Sequence, residues 1–373
     1  IPAAHTGVGG EAIRPRYHPQ AFEKSANRAD TTNTSIFIPA TEYAAWWENE
    51  ISLRPGWRVN AGLRLSAFSV EDTTFAALEP RISSTWQLPN HWSVTGGYSE
   101  MNQYLHLLSN NGTGLPNDVW VPVTRRVAPQ RARQWAAGLT KSFPRQQIEI
   151  SLEGYWKRST RLIDYAQGQD FFGNFNQNWQ DAIEQDGIGE AYGMELFAHK
   201  KQGRFTGWLA YTLSWNQRRF AHINGGAWYP GRYDRQHNFS LTSTWEIDKH
   251  WTISGTWVYA SGSPVTLPVA KFDHVDGYPV YIYGDRHNRR MPAYHRMDIG
   301  FEYRPRGNTK RSVSFGAYNV YNRKNPFFLD IGTAPIYLRG SRIILEQSDP
   351  QVIQNSLLPI FPGWLIPGNF NSF

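Results

Sequence analysis

The 373-residue sequence contains no cysteine, which excludes disulfides, Cys-ligated metals and thiol chemistry. It has no run of ~20 consecutive apolar residues, so no helical membrane span is encoded. Charge is scarce, at 18% Asp, Glu, Lys and Arg, and the mean hydropathy is −0.54. The formal charge of +7 comes from basic residues scattered over turns and loops, in pairs such as Arg125-Arg126, Lys200-Lys201, Arg218-Arg219 and Arg289-Arg290. A nucleic-acid surface gathers such residues on one face, so no nucleic-acid partner is expected. A rim facing anionic lipid headgroups, or a basic lumen, accounts for them. No P-loop, nucleophile elbow or HExxH pattern occurs, so neither enzyme activity nor a cofactor is expected. The start, Ile1-Pro2-Ala3-Ala4-His5, lacks the basic and apolar regions of a signal peptide. The expectation is that a signal was removed or that the chain begins inside something larger. The uncharged tail from Gln351 to Phe373 is interrupted by Pro359, Pro362 and Pro367, which argues against a helix.

Aromatic side chains are abundant, with 16 Trp, 19 Tyr and 20 Phe. Many lie in stretches of period two. Trp57, Val59, Ala61, Leu63, Leu65 and Ala67 alternate with Arg58, Asn60, Gly62, Arg64 and Ser66, over the length that a tilted strand needs to cross a bilayer. The pattern recurs through 82–88, 92–98, 135–139, 148–156, 194–198, 209–215, 239–245, 251–259, 297–303 and 313–317, with a first strand at 41–53 and a last within 358–373. Short turns (Arg54-Pro55-Gly56, Pro89-Asn90-His91, Pro144-Arg145-Gln146, Lys200–Gly203, Asp248-Lys249-His250 and Pro305–Asn308) alternate with long connections near 69–80, 101–131, 160–190, 217–236 and 262–292. Tight turns on one rim and long loops on the other are the signature of an outer-membrane barrel. Trp57, Trp92, Trp245 and Trp251 stand beside short turns, as an interfacial girdle requires. The unequal turn spacings argue against a propeller repeat. The expected fold is thus an all-β, transmembrane antiparallel β-barrel. Its about thirteen strands are an odd number, with the first descending from outside and residues 1–40 as an extracellular loop.

Candidate functional residues lie in the long connections. Tyr104, Trp120, Arg125 and Arg126, then Phe171, Phe172 and Trp179, then Trp228 and Tyr229 stand among amides and arginines. Such residues suit stacking and hydrogen bonding to a polar ligand such as a siderophore or a glycan. Packing of the loops on one another suits them equally. Arg232, Asp234, Arg235 and His237, and likewise His295, Arg296 and Asp298, read as ion-paired wall residues rather than acid–base chemistry. The mixed runs Asp273-His274 with Asp276, and Asp285-Arg286-His287, are too ordinary in a polar loop to carry a metal site.

Five stretches carry a resemblance. They are Leu78-Glu79-Pro80-Arg81-Ile82-Ser83, the run from Tyr98 to Ser109 continuing through Gly114–Pro122, and Tyr229-Pro230 with Arg232-Tyr233-Asp234-Arg235 and His237. The others are Pro292–Asp298 and Tyr318–Phe328. Together they resemble the TonB-dependent outer-membrane receptors, in the subgroup with a carboxypeptidase-like N-terminal extension. The resemblance implies a 22-stranded barrel around a plug, of which residues 41–373 would be the C-terminal portion, with the plug absent from this chain. It implies active transport of a scarce or bulky ligand, with TonB engaged through the missing N-terminal region. Outer-membrane lipid and lipopolysaccharide would surround the wall; whether a surface lipoprotein lid sits above it is left open. A scaffold within an outer-membrane complex and a passive porin are the other readings. The family ends in an alternating strand with terminal Phe. Here Phe370 and Phe373 are out of phase, which leaves the register of the closing seam open.

Overall fold

A strand with lipid on one face and water on the other must alternate apolar and polar residues, and each alternating stretch among the described residues becomes such a strand. The computed structural model describes residues 4–17, 37–109, 118–169, 178–274, 279–305, 311–327 and 329. Thirteen strands follow one another in chain order along one antiparallel sheet. They are β1 (Ala4–Ile13), β2 (Ile38–Arg54), β3 (Trp57–Val70), β4 (Thr73–Leu88), β5 (Trp92–Gln103), β6 (Gln130–Phe143) and β7 (Ile148–Tyr165). Then come β8 (Ile183–Lys200), β9 (Phe205–Arg219), β10 (His237–Glu246), β11 (Trp251–Ala260), β12 (Tyr294–Tyr303) and β13 (Val313–Ala317). Two-residue strands at Arg16–Tyr17 and Tyr229–Pro230 join the sheet at its rim. The longest strands, β7 and β8, have 18 residues each, against the ~9–11 that span a bilayer. Their upper halves therefore rise above the lipid.

The two faces differ in kind. Leu65, Leu78, Ile82, Trp86, Leu152 and Met194 are large, apolar and exposed on one face. On the other, Asn60 Nδ2 donates to Glu48 Oε1 at 2.7 Å and Arg81 pairs with Glu48 at 3.1 Å. A broad apolar surface backed by paired charges is the inverse of a water-soluble sheet and marks a lipid-facing wall around a polar lumen. Among the described residues no helix is long and apolar enough to cross a membrane; the crossing is made by strands. At the short-turn rim the rings of Trp57 and Trp86 lie 5.8 Å apart and those of Trp251 and Tyr303 4.8 Å, forming part of an interfacial girdle. The tightest turn there has Pro55 followed by Gly56 at φ 81°. That conformation is free only to glycine.

The structure revises two expectations. Residues 1–40 are not all loop: Ala4–Ile13 is a strand paired along its whole length with Glu42–Ile51 of β2. It precedes the strand expected to come first and runs antiparallel to it, toward the long-loop rim. The connection expected at 69–80 is a two-residue turn, Glu71-Asp72, with Glu71 at φ 52°. Strand β4 therefore begins at Thr73. The expected last strand within 358–373, with Phe370 and Phe373, lies outside the described residues, so the thirteen strands seen are not the same thirteen.

Residues 318–327 have a mechanical role. Strand β13 stops at Ala317, which would leave the end of β12 unpaired. Asparagine side chains continue the ladder. Asn325 accepts from the His295 N–H and donates to the His295 carbonyl, both at 3.0 Å, as a strand neighbour would. Asn319, at φ 52°, exchanges the same pair of bonds with the backbone of Arg323.

The assignment of faces is testable by unfolding the intact protein in lipid vesicles with denaturant. Leu152→Arg puts a charge in the bilayer and should cost about 2–4 kcal/mol. Glu153→Arg, one residue on, faces the lumen opposite Glu195 and should change stability by no more than ~0.5 kcal/mol.

Candidate functional site

The long connections pack on one another in a relay along the outer rim. The inward faces of Phe68 and Val70 on β3, with Ile38 and Ala40 on β2, close over Tyr104 and Val123 from the connection 104–129. The Tyr104 ring stacks on Phe68 at 4.9 Å, and its hydroxyl hydrogen-bonds Ser66 at 2.8 Å. The same connection forms a hairpin, Leu105–Ser109 with Asp118–Pro122. Leu108 and Val121 of this hairpin pack with Ile163 and Tyr165 at the end of β7 and with Ala182 from the β7–β8 connection. Leu162 then joins Phe220, Ile223 and Tyr229 of the β9–β10 connection. Here a bulge in β7 about Arg161, at φ 58°, re-aims the strand end. The Phe220 ring lies flat against Gly187, where a Cβ would come within 2.3 Å of it.

A buried polar network ties the β7–β8, β9–β10 and β11–β12 connections together. Asp164, with its side chain 4% exposed, pairs with Arg286 at 3.1 Å and accepts the Tyr229 hydroxyl at 2.9 Å. Arg286 also donates to the carbonyls of Tyr165 and Ala166, at 2.7 and 3.2 Å. Asn224 exchanges two hydrogen bonds with the backbone of Arg286. Burial and the Asp164 carboxylate push the Tyr229 hydroxyl far up, so it stays a donor. His287 Nδ1 lies 2.5 Å from the Pro230 carbonyl and so carries the proton. Its buried Nε2 has no protein partner among the described residues. Burial pushes His287 down to about 4. A second buried carboxylate, Asp234, accepts the Asn216 N–H at 2.6 Å and pairs with Arg290.

The sequence-predicted residues divide between packing and surface. Tyr104 and Tyr229 are 6% and 2% exposed and hold loops together. Trp179 packs half-buried against the Leu108 cluster. Trp120 and Trp228 are exposed. Arg125 and Arg126 are exposed and point apart, to Asp72 at 3.0 Å and Asp181 at 2.6 Å. Phe171 and Phe172 lie outside the described residues. Arg232 is half-buried with its guanidinium on the Pro264 carbonyl at 3.3 Å, and partial burial lowers its pKa. The Arg235 carbonyl receives the Ser214 hydroxyl at 3.4 Å. His237 hydrogen-bonds Tyr211 at 2.8 Å and His295 hydrogen-bonds Tyr321 at 2.9 Å. Arg296 pairs with Asp298 at 2.9 Å and lies 4.3 Å from the Tyr318 ring centroid. Asp164 and Asn224 were not among the candidates. Arg286 and His287 were read only as part of a mixed-charge run. Among the described residues no group of three or more His, Cys, Asp or Glu side chains is placed to hold a metal ion.

An antiparallel wall with a lipid face, a tryptophan girdle at its short-turn rim and packed loops at the other is part of an outer-membrane β-barrel. The family described as TonB dependent receptor-like, beta-barrel matches residues 5–320, and the chain belongs to it. No curated protein matches the sequence significantly. Among solved structures, the chain is similar to the FrpB iron transporter of Neisseria meningitidis in its apoprotein form. The TM-score is 0.58 at 15% identity, over 86% of this chain and 50% of that one. It is also similar to the ferripyoverdine receptor of the outer membrane of Pseudomonas aeruginosa, with a TM-score of 0.57 at 12% identity, over 86% of this chain and 42% of that one. The ferric-catecholate import receptor Fiu of Escherichia coli K12 gives 0.58 at 12% identity, over 87% and 48%. The chain thus spans half or less of the length of these structures.

Two outcomes follow from the loop layer. Gly187→Val must displace the buried Phe220 ring, an overpacking cost of about 1–3 kcal/mol. Limited proteolysis of the intact protein should then cut the 220–236 connection faster while the wall stays folded. The second outcome is a pH dependence from His287. A histidine whose folded pKa is depressed binds fewer protons folded than unfolded, so stability falls as pH drops from about 6.5 toward 4 and is unaffected above. Hydrogen exchange in 279–293 should accelerate across that window. His287→Gln should flatten the change.

Proposed function

We propose that the intact protein is a TonB-dependent outer-membrane importer of a scarce, bulky, polar ligand, an iron–siderophore complex before a glycan. This chain would supply wall and capture loops. The carrying observation is the loop layer itself, a packed platform that presents Trp120, Trp228, Arg125 and Arg126 outward above a charge-lined lumen face. Flat aromatic faces and guanidinium forks recognise large anionic or amide-rich ligands. The iron and siderophore receptors among the structural neighbours support that ligand class over a glycan. Further strands and a plug would complete the barrel. Among the described residues β1 and β13 each have a neighbour on one side only, and an unpaired strand edge cannot remain in lipid. TonB would act on a segment outside this chain. A surface lipoprotein could sit on the exposed loops, and lipopolysaccharide would surround the wall. No step of covalent chemistry is assigned to any residue.

The test is uptake of labelled ferric siderophores by cells expressing the intact protein. Uptake should stop when TonB is deleted or the proton-motive force is collapsed; a passive porin would continue. Trp120→Ala with Trp228→Ala should weaken ligand binding about 3- to 30-fold, with surface expression unchanged. Uptake that persists without an energy source would refute the active-transport reading.

A further inference from the structure

Two parallel lines of side chains cross the outward face of β5–β8. The strand register puts Tyr98, Trp135, Trp156 and Tyr192 in one row. Tyr98 and Trp135, and Trp135 and Trp156, have ring centroids 4.9 Å apart. Two residues nearer the loop rim, and so on the same face, Glu100, Arg133, Arg158 and Glu190 form a second row by the same register. Arg131 stands one further step up, beside Glu100.

Within the second row Arg133 and Arg158 are directly opposite on neighbouring strands. Like charges so placed repel. Flanking carboxylates relieve this in part. Glu100 takes Arg131 and, at 3.2 Å, the Nε of Arg133. Glu190 stands 3.6 Å from Nη1 of Arg158. Three guanidiniums meet two carboxylates, so one positive charge is left over. The side chains of Arg131, Arg133 and Arg158 are 41%, 51% and 46% exposed. The remaining donors of Arg133 and Arg158 have no other partner among the described residues. Opposed residues on neighbouring antiparallel strands have Cα atoms about 4.5–5.5 Å apart, so one tetrahedral anion can bridge both forks.

We propose that this patch binds the phosphate of a phosphorylated lipid in the outer leaflet. Arg133 and Arg158 bridge the phosphate with Arg131 beside them, and the acyl chains lie on the aromatic row beneath. The aromatic row identifies a lipid rather than a free phosphate. It continues the apolar lipid-facing surface, and the charged row begins where that surface ends. The patch is on the outer wall, so it is separate from ligand capture by the loops.

The experiment uses the intact protein extracted in mild detergent and incubated with phosphorylated lipid A or its dephosphorylated form, with retained lipid counted by native mass spectrometry. Phosphorylated lipid A should be retained and the dephosphorylated form lost. The R133Q/R158Q variant should weaken retention about tenfold or more, and R133K/R158K, which keeps the charge without the fork, should fall between. Lys157→Gln, on the lumen face of the same strand, should change nothing. Heat-modifiable migration on gels confirms that each variant is folded. Equal retention of both lipids, or by wild type and R133Q/R158Q, would overturn the proposal. So would displacement of the lipid by millimolar inorganic phosphate alone, which would mark an anion site without lipid selectivity.

Discussion

Hydrocarbon offers a backbone no hydrogen-bond partner. Each unpaired N–H or C=O in the bilayer costs several kcal/mol, and the rest of this architecture follows from that constraint. It makes each strand pair with its chain neighbours, with the sheet running from β1 to β13 without a crossover. It also explains residues 318–327. Where β13 ends early, amide side chains take the positions that a strand's peptide groups would occupy. Asparagine is the residue for this, because its side chain carries one donor and one acceptor group in the geometry of a peptide.

Above the bilayer a different rule applies. Water is present, and the loops are free to pack by burial. They do so through four apolar clusters and one deeply buried carboxylate–guanidinium pair. A buried ion pair is poor evidence of stability in itself, because desolvation offsets much of the attraction. Asp164 and Arg286 are therefore better understood as specifying which loops meet. With the Tyr229 hydroxyl on Asp164 and backbone carbonyls on Arg286, the observed arrangement of the three connections leaves neither charge stranded.

How far all this was legible in the sequence depends on how local each cause is. Period two exposed most of the wall strands, because the two faces meet different solvents. Strand β1 escaped because its Gly7, Gly9 and Gly10 blur any alternation; it is a strand through its ladder to β2. The Glu71-Asp72 turn escaped because its left-handed position, at φ 52°, falls on Glu71, a residue that rarely adopts that conformation. In the loops, aromatic content marked segments that pack on one another but not which of their residues are buried. Trp120 and Tyr104 sit in the same connection, yet one is exposed and the other is stacked on Phe68. That difference is set by a strand more than thirty positions away. The Arg286 contacts to Tyr165 and Ala166 span 121 and 120 positions, and no pattern in a short window can announce them.

Arg125 and Arg126 reach in opposite directions, one to the turn between β3 and β4 and the other to the β7–β8 connection. Each exposed pair contributes only about 0–1 kcal/mol. Together they clasp one loop to both of its neighbours, in series with the buried clusters. The outer rim therefore behaves as a belt and not as separate fingers. A push on one of these loops bears on the next, and a molecule settling on one of them alters the footing of its neighbours.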